Sequence, residues 1–193
     1  GLRQVLTLFA SPEDPVKIIH LKVQNTLDHT RRVTATQYVE WVLGTTHAAN
    51  MAYIIPEYVP SLECLLATNP YSAEFGARVA FLIASKAIHG LTSDRTEFLG
   101  RGGNPVFPAS LNRLGLEAHM TPGEDPCAVL QLHLDLLPGA SDEIYFVLGQ
   151  GDDKDHALAL AKKYQNPDHV GAAYERTHAF WNQLLDKVQV HTP

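Results

Sequence analysis

The sequence has few of the residues that cross-link chains, and it lacks the long apolar runs that cross bilayers. Its two cysteines, Cys64 and Cys127, lie far apart and form no CxxC pair. This usage favours inert, reduced thiols and leaves a single disulfide between them open. No apolar run approaches the roughly 18 residues of a membrane span, and no secretory signal pattern opens the chain.

Charge of one sign is not concentrated anywhere in the chain. Charged residues make up 19% of it, the formal net charge is -6, and there is no block of Lys or Arg. A nucleic-acid partner is therefore not expected, because phosphate binding needs a clustered basic surface. The hydrophobic content of 45% over 193 residues is ordinary for a globular protein with a sizeable core.

Motifs for catalysis and metal binding are also missing. The ten histidines form neither HxH nor HExxH, and no GxSxG is present. His133 and Asp135 share a strand face, and we interpret the pair as structural. The remaining carboxylates are scattered, which is typical of surface or ion-paired groups. We therefore predict no catalytic residue, no metal site and no cofactor in this chain.

The first two-thirds of the sequence has the pattern of an all-β protein. Apolar residues alternate with polar ones between turn signals, although the alternation slips between Ile18 and Leu21. The turn-rich stretch 25–32 predicts a hairpin between two long strands. Together, the runs predict about nine strands in a mainly β fold, a large antiparallel β-sandwich. The expected strands are 5–9, 16–26, 31–43, 52–59, 64–68, 77–84, 87–92, 129–137 and 143–148.

Helical periodicity begins after Gly151. Asp152 and Asp153 offer an N-cap to a helix that ends at Asn166-Pro167, with an apolar stripe of Ala157, Leu158, Ala161 and Tyr164. A second helix is expected over 168–189, with Val170, Ala173, Tyr174, Thr177, Trp181, Leu184, Leu185 and Val188 on its apolar side. A short helix is predicted over 108–115. The expected division is a sandwich domain over 1–150 and helices over 151–193.

If the second helix has no partner, its stripe should expose Trp181 and Leu185 or bury them by self-association.

Two polar clusters stand out among the loops. The stretch 93–105 combines two arginines, two carboxylates and three glycines, a set suited to holding an oxygen-rich ligand or, equally, a solvated turn held by its own ion pairs. Asn69, Tyr71 and Glu74 form the second cluster, whose residue types suit carbohydrate. The structural alternative pairs Glu74 with Arg78 and lets Tyr71 cover the sheet.

The segments 38–44, 69–82 and 94–101, in this order, resemble the amino-terminal β-sandwich of the inverting glycoside phosphorylases, which include cellobiose and chitobiose phosphorylases. The similarity is greatest to the phosphorylase-like region of the cyclic β-1,2-glucan synthases. The resemblance implies a galactose mutarotase-like supersandwich whose C-terminal helical linker leads to an (α/α)6 barrel. That barrel carries the catalytic general acid and is expected to be absent from this chain.

The resemblance also implies roles for the loop residues. Arg95 or Arg101 would donate to sugar hydroxyls, Glu97 or Asp94 would hold the guanidinium, and Gly100 would let the backbone approach the ligand. The implied partners are a glucan or oligosaccharide, the missing barrel and a second subunit in a homodimer. The parent protein would lie in the inner membrane, with this region at its cytoplasmic face.

The expected function is a non-catalytic scaffold and carbohydrate contact for a glucan synthase or phosphorylase. Two alternatives remain open. One is a free-standing carbohydrate-binding sandwich, which needs exposed aromatic side chains on one platform. The other is a mutarotase-like epimerase, for which His133 with Asp135 or Glu40 would have to converge.

Overall fold

The computed structural model describes residues 1–187, which form nine strands and four α-helices. The strands are β1 (Leu2–Ala10), β2 (Val16–Asn25), β3 (Arg31–Glu40), β4 (Ile55–Val59), β5 (Cys64–Thr68), β6 (Val79–Ala84), β7 (Gly90–Asp94), β8 (Pro126–Leu136) and β9 (Ser141–Gly151). The helices are α1 (His47–Asn50), α2 (Arg95–Leu99), α3 (Lys154–Tyr164) and α4 (Pro167–Leu185). Short 3-10 turns occupy Met51–Tyr53, Pro60–Leu62 and Ala109–Asn112.

The strands form two antiparallel sheets. The large sheet has the order β1-β2-β9-β6-β5-β4, and the small sheet has the order β3-β8-β7. A continuous apolar core joins them, in which Ile19 and Val23 of β2 pack in the same cluster as Leu130, Leu132 and Leu134 of β8. The predicted mainly β, antiparallel sandwich followed by C-terminal helices is therefore confirmed.

A second core lies on the opposite face of the large sheet. Ala157, Leu160, Ala161 and Tyr164 of α3, with Val170 and Ala173 of α4, pack there against the outward-facing residues of β2, β5, β6 and β9. The strands β2, β5, β6 and β9 of the large sheet are thus buried on both faces, because helices pack on one face and the small sheet on the other.

Burial on both faces explains the apparent slip in β2. Val16 and Ile18 face the helices, whereas Ile19 and Val23 face the small sheet. The register between β1 and β2 is continuous from Leu2↔Asn25 to Ala10↔Lys17. The alternation is therefore unbroken, and the inferred slip is wrong, because apolar residues on both faces obscure a period of two.

The predicted hairpin over 25–32 is also wrong. β2 pairs with β1 and β9, whereas β3 pairs with β8, so the segment is an arch between the two sheets. The fully buried Asn25 holds this arch. Its Nδ2 donates to the carbonyl oxygens of His29, Leu136 and Leu137 at 2.8, 3.1 and 3.2 Å, and its Oδ1 accepts from the backbone of Leu27.

The C-terminal helices begin and end close to the predicted positions. Asp153 caps α3 by accepting from the backbone N–H of His156 at 2.8 Å. α3 ends at Tyr164, just before Asn166 and Pro167. Asn166 then caps the start of α4, and Pro167 is the first residue of that helix. α4 ends at Leu185, and the predicted positions Val188 and Gln189 lie outside the described residues. The short helix expected at 108–115 is instead the 3-10 turn Ala109–Asn112.

The two cysteines are free thiols in separate clusters. Cys64 belongs to the core beneath the helices, and Cys127 lies on the outer face of the small sheet. Burial raises the pKa of Cys64 to about 12 and raises that of Cys127 as well. The disulfide left open by the sequence is therefore not formed in this structure. Among the described residues, no helix has both the length and the apolarity for a bilayer crossing.

Candidate functional site

One end of the sandwich gathers most of the predicted site residues. Asn69, which follows β5 of the large sheet, donates from Nδ2 to the carbonyl oxygen of Leu43, which follows β3 of the small sheet, at 2.8 Å. The same Nδ2 lies 3.0 Å from Oδ1 of Asn50 in α1. Contacts of this kind bring together the loops at 41–53, 69–78, 94–105 and 121–125.

Arg95 is held by carboxylates from distant parts of the chain. Its Nε donates to Oε1 of Glu40 at 2.9 Å, and one terminal nitrogen lies 3.3 Å from Oδ2 of Asp125. Nε2 of His47 lies 2.8 Å from Oδ1 of the same Asp125. The hydrogen bond from Tyr38 and that from Arg95 lower the pKa of Glu40. Arg95 is thus engaged within the protein, and the expectation that Glu97 or Asp94 holds its guanidinium is wrong.

Glu97 and Asp94 instead build the loop. The buried Glu97 accepts from Oγ1 of Thr92 and from the backbone N–H of Glu117 at 2.6 Å, and Nδ1 of His119 lies 3.3 Å away. Asp94 is the N-cap of α2 and accepts from the backbone N–H of Thr96 at 2.7 Å. Both carboxylates therefore determine the local backbone.

The glycines of this loop are required by its own geometry. Gly100 ends α2 with φ +87°, in the left-handed region. A Cβ at Gly103 would lie 1.9 Å from the carbonyl oxygen of Leu99. Phe98 and Leu99 anchor the loop to the small sheet. The side chain of Arg101 is exposed and makes no hydrogen bond or ion pair within residues 1–187.

The second predicted cluster divides into one structural residue and two surface residues. Asn69 is buried and also accepts from the backbone N–H of Tyr71 at 3.1 Å. Tyr71 is 76% exposed, and its ring stacks on Tyr53 with centroids 4.3 Å apart. Glu74 is exposed, and the described residues offer it no ion pair. The alternative Glu74–Arg78 pair is not formed, because Arg78 lies over the ring of Phe75 at 5.3 Å.

A cleft of about 290 Å³ opens in this region. It is lined by Leu43, Gly44, Asn69, Phe75, Arg78, Ala80 and Gln150. Sequence reasoning missed Tyr53 and Gln150 as site residues and considered Arg78 only as an ion-pair partner. Tyr53 was missed because the sequence predicts a strand over 52–59. Gln150 was missed because the predicted strand ends at 148, whereas β9 extends to Gly151. The available signal for Tyr53 was Thr46 before Ala48 and Ala49, an N-cap followed by helix-forming residues.

The residues of the epimerase alternative do not converge. Arg32 holds Asp135 through two hydrogen bonds of 2.7 and 2.8 Å, and the side chain of His133 bonds to Thr34 at 3.1 Å. Glu40 lies opposite Cys127 in the register between β3 and β8, and Cys127 is six residues from His133 along β8. Glu40 and His133 are therefore about 20 Å apart along the sheet. Residues 1–187 contain no cluster of three or more His, Cys, Asp or Glu side chains that could hold a metal ion.

Comparisons with known proteins agree with this fold. Residues 1–167 match the family model described as glycosyl hydrolase 94, supersandwich domain. The cyclic beta-(1,2)-glucan synthase NdvB of Rhizobium meliloti (strain 1021) is 33% identical over 180 residues, which are 93% of this chain and 6% of that protein. The N,N'-diacetylchitobiose phosphorylase of Vibrio furnissii is 22% identical over 197 residues, covering 100% of this chain and 24% of that protein.

A solved structure supports the fold alone. The crystal structure of a bacterial glucoamylase complexed with acarbose aligns with 94% of this chain and 25% of its own, with a TM-score of 0.55 and 11% identity. This chain therefore spans about a quarter or less of the proteins it matches. The chain belongs to the supersandwich-domain family of glycosyl hydrolase family 94.

Proposed function

We propose that this domain is a non-catalytic carbohydrate contact and scaffold of a cyclic β-1,2-glucan synthase or a related glycoside phosphorylase. The observation that carries the proposal is the exposed stack of Tyr53, from the turn Met51–Tyr53, on Tyr71, whose loop also contributes Asn69, Phe75 and Arg78 to the cleft. Aromatic faces offer a platform for the C–H face of a sugar ring, and guanidinium and amide groups bond its hydroxyls.

Arg101 is the arginine of the 94–103 loop that is available to a ligand. Arg95 is committed to Glu40 and Asp125, whereas Arg101 extends from a backbone anchored by Phe98 and Leu99. An anchored backbone limits the entropy lost on binding to that of the Arg101 side chain itself. Arg101 is therefore the residue that we expect to donate hydrogen bonds to the sugar hydroxyls. Arg95 and Glu97 support it by holding the loop in place.

The arrangement of carboxylates supports catalysis elsewhere in the parent enzyme. Glycosyl transfer with inversion needs a carboxylic acid that can protonate the leaving oxygen. Near the cleft, Glu40 bonds to Tyr38 and Arg95, and Glu97 is buried in the loop. We therefore assign the reaction to a barrel that follows the linker, with the sandwich over 1–150 and the linker over 151–193. The cytoplasmic location stays a prediction.

The proposal is tested by calorimetric titration of the chain with cyclic β-1,2-glucan, cellobiose and glucose. We expect cyclic β-1,2-glucan to bind, and Tyr71→Ala or Arg101→Ala to weaken that binding about five- to thirtyfold, since each removes an interaction of roughly 1–2 kcal/mol. Arg3→Ala removes another exposed arginine on β1 and is the matched control. Retained affinity in both test variants would refute the site.

A free-standing carbohydrate-binding module is the second candidate, because the Tyr53–Tyr71 stack is an exposed aromatic platform. The same titration separates the two functions. A module that works alone should bind the glucan at micromolar concentrations without any other domain. A contact that completes a site on the barrel should bind in the millimolar range.

A further inference from the structure

A small pocket lies on the outer face of the small sheet and shares no residue with the cleft described above. Its volume is about 110 Å³, and two cross-strand pairs line it, Thr34 with His133 and Thr36 with Gln131. The rest of the lining comes from the segment 110–114 and from the residue that precedes β7. All of these residues lie between positions 34 and 133, so the pocket is internal to the domain.

Ser110 brings a buried and unused hydroxyl to this pocket. The residue is 5% exposed, and its Oγ has no hydrogen-bond partner within residues 1–187. Buried hydroxyls are nearly always hydrogen-bonded, because an unpaired one loses its bonds to water without replacing them. The unpaired hydroxyl on the pocket wall therefore indicates a ligand that bonds to it.

Two histidines stack against each other in the same pocket. The ring centroids of His89 and His133 lie 3.9 Å apart, and the ring planes are tilted by 31°. Nε2 of His89 donates to the carbonyl oxygen of Leu114 at 3.3 Å, and Nδ1 of His133 lies 3.1 Å from Oγ1 of Thr34. Within the described chain, the second nitrogen of each ring makes no hydrogen bond. An anion can recruit positive charge from such a pair, because it favours the protonated imidazole.

The charges around the histidines favour an anion. Arg113 contributes its guanidinium to the lining, and none of the described residues that line the pocket is acidic. Asp135, the next residue along this face of β8, is held by Arg32 through two hydrogen bonds of 2.7 and 2.8 Å. The pKa of His133 is lowered by burial first and then by the charges of His89 and Arg32, whereas Asp135 acts to raise it. The pocket therefore has a positive potential with no counter-charge of its own.

The size of the pocket and the geometry of the rings decide between classes of ligand. A volume of 110 Å³ is the share of about four water molecules in the liquid, which admits a small tetrahedral oxyanion but not an oligosaccharide. A metal ion needs nitrogen lone pairs that converge on it. In stacked rings the lone pairs run side by side, whereas N–H groups in that arrangement can reach different oxygens of one anion.

We propose that this pocket binds a small tetrahedral oxyanion of the sulfate or phosphate type. The hydroxyl of Ser110, the guanidinium of Arg113 and the two imidazoles donate hydrogen bonds to its oxygens. The bound anion joins the 3-10 turn Ala109–Asn112 to the small sheet. This site is separate from the carbohydrate site proposed above and does not depend on it.

The proposal is tested by calorimetric titration of the chain with sodium sulfate and with sodium phosphate, at an ionic strength held constant with chloride. We expect one anion per chain with a dissociation constant in the millimolar range, since few atoms make contact. Sulfate keeps its charge between pH 6 and pH 8, and it should bind about fivefold more tightly at pH 6, because the bound anion favours protonated imidazoles. Arg32, Arg113 and Asp135, the charged neighbours of the histidines, keep their charges over this interval.

Ser110→Ala separates a binding role from a structural one. It should weaken sulfate binding about tenfold, because it removes a hydrogen bond to a charged ligand. It should not lower the melting temperature, since this hydroxyl has no partner to lose within the described chain. Ser61→Ala is the matched control, because Ser61 is also the second residue of a 3-10 turn, Pro60–Leu62, and is exposed. It should change neither quantity.

His133→Gln tests the role of the imidazoles. It should weaken sulfate binding about tenfold at pH 6 and reduce the difference in affinity between pH 6 and pH 8, because it removes a group that gains charge over this interval. His29→Gln makes the same change at an exposed histidine of the arch between the sheets and should leave the affinity and its pH dependence unchanged.

Thermal unfolding establishes that each variant is folded. A folded wild-type chain that binds neither sulfate nor phosphate would overturn the proposal. Binding that Ser110→Ala and His133→Gln both leave unchanged would also overturn it, because the anion would then lie elsewhere. Binding of Zn²⁺ that His133→Gln abolishes, with no binding of either anion, would make the histidine pair a metal site instead. Tyr71→Ala and Arg101→Ala should not change sulfate binding, so failure of this site and failure of the carbohydrate site are distinguishable.

Discussion

Replacing Glu97 by alanine should destabilise the entire sandwich by about 3 kcal/mol. The side chain is buried, and its two oxygens accept from Thr92 Oγ1 and from the backbone N–H of Glu117. Hydrogen bonds to a charged group contribute about 1.5–3 kcal/mol each. Removing a buried carboxylate also relieves its desolvation cost, so the net loss is smaller than the sum of the two bonds.

The assay is urea unfolding followed by the fluorescence of the buried Trp41. Glu97→Ala should lower the midpoint without changing the dependence on urea, and it should lower the melting temperature by about 6–12 °C for a domain of this size. Glu74→Ala removes an exposed carboxylate from a neighbouring loop and should change the stability by less than about 0.5 kcal/mol.

The reasoning would be refuted by equal stabilities of Glu97→Ala and Glu74→Ala. Loss of glucan binding by a Glu97→Ala variant of unchanged stability would show that this carboxylate serves the carbohydrate site rather than the stability of the fold.

Three further outcomes follow from the second core and from the thiols. Tyr164→Phe should cost about 1–2 kcal/mol at pH 7 by thermal or urea unfolding, because the Tyr164 hydroxyl donates to Asp14 at 2.7 Å. Burial acts to raise the pKa of Asp14, but hydrogen bonds from Lys163 and Tyr164 outweigh it and lower that pKa. The stabilisation that ionised Asp14 provides should therefore be complete above the ordinary carboxyl pKa near 3.8 and be lost as the pH falls through the lowered value. When the free energy of unfolding is measured against falling pH, Tyr164→Phe should therefore show a shallower fall than the wild type. Cys64 and Cys127 should resist a thiol reagent at pH 8 in the folded chain and react at once in urea; rapid reaction of the native protein would contradict their burial.

The candidate site was only partly predictable from the sequence. The 93–105 stretch was identified as polar and turn-forming because its composition is local information. The partners of Arg95 were not predictable, since Glu40 lies 55 residues away and Asp125 lies 30 residues away. Glu97 looked like a surface group, and its burial became evident only when the 116–119 segment was seen to fold over it.

Local pattern determined the nine strands and the two C-terminal helices of this protein. Alternating apolar residues predicted the strands, and Asp153 with the apolar stripe around Ala161 predicted α3, because both signals depend on neighbours in the chain. Tertiary structure alone decided which strands pair. β2 and β3 are consecutive, yet they belong to different sheets, because the buried amide of Asn25 bonds to the end of β8, more than a hundred residues away.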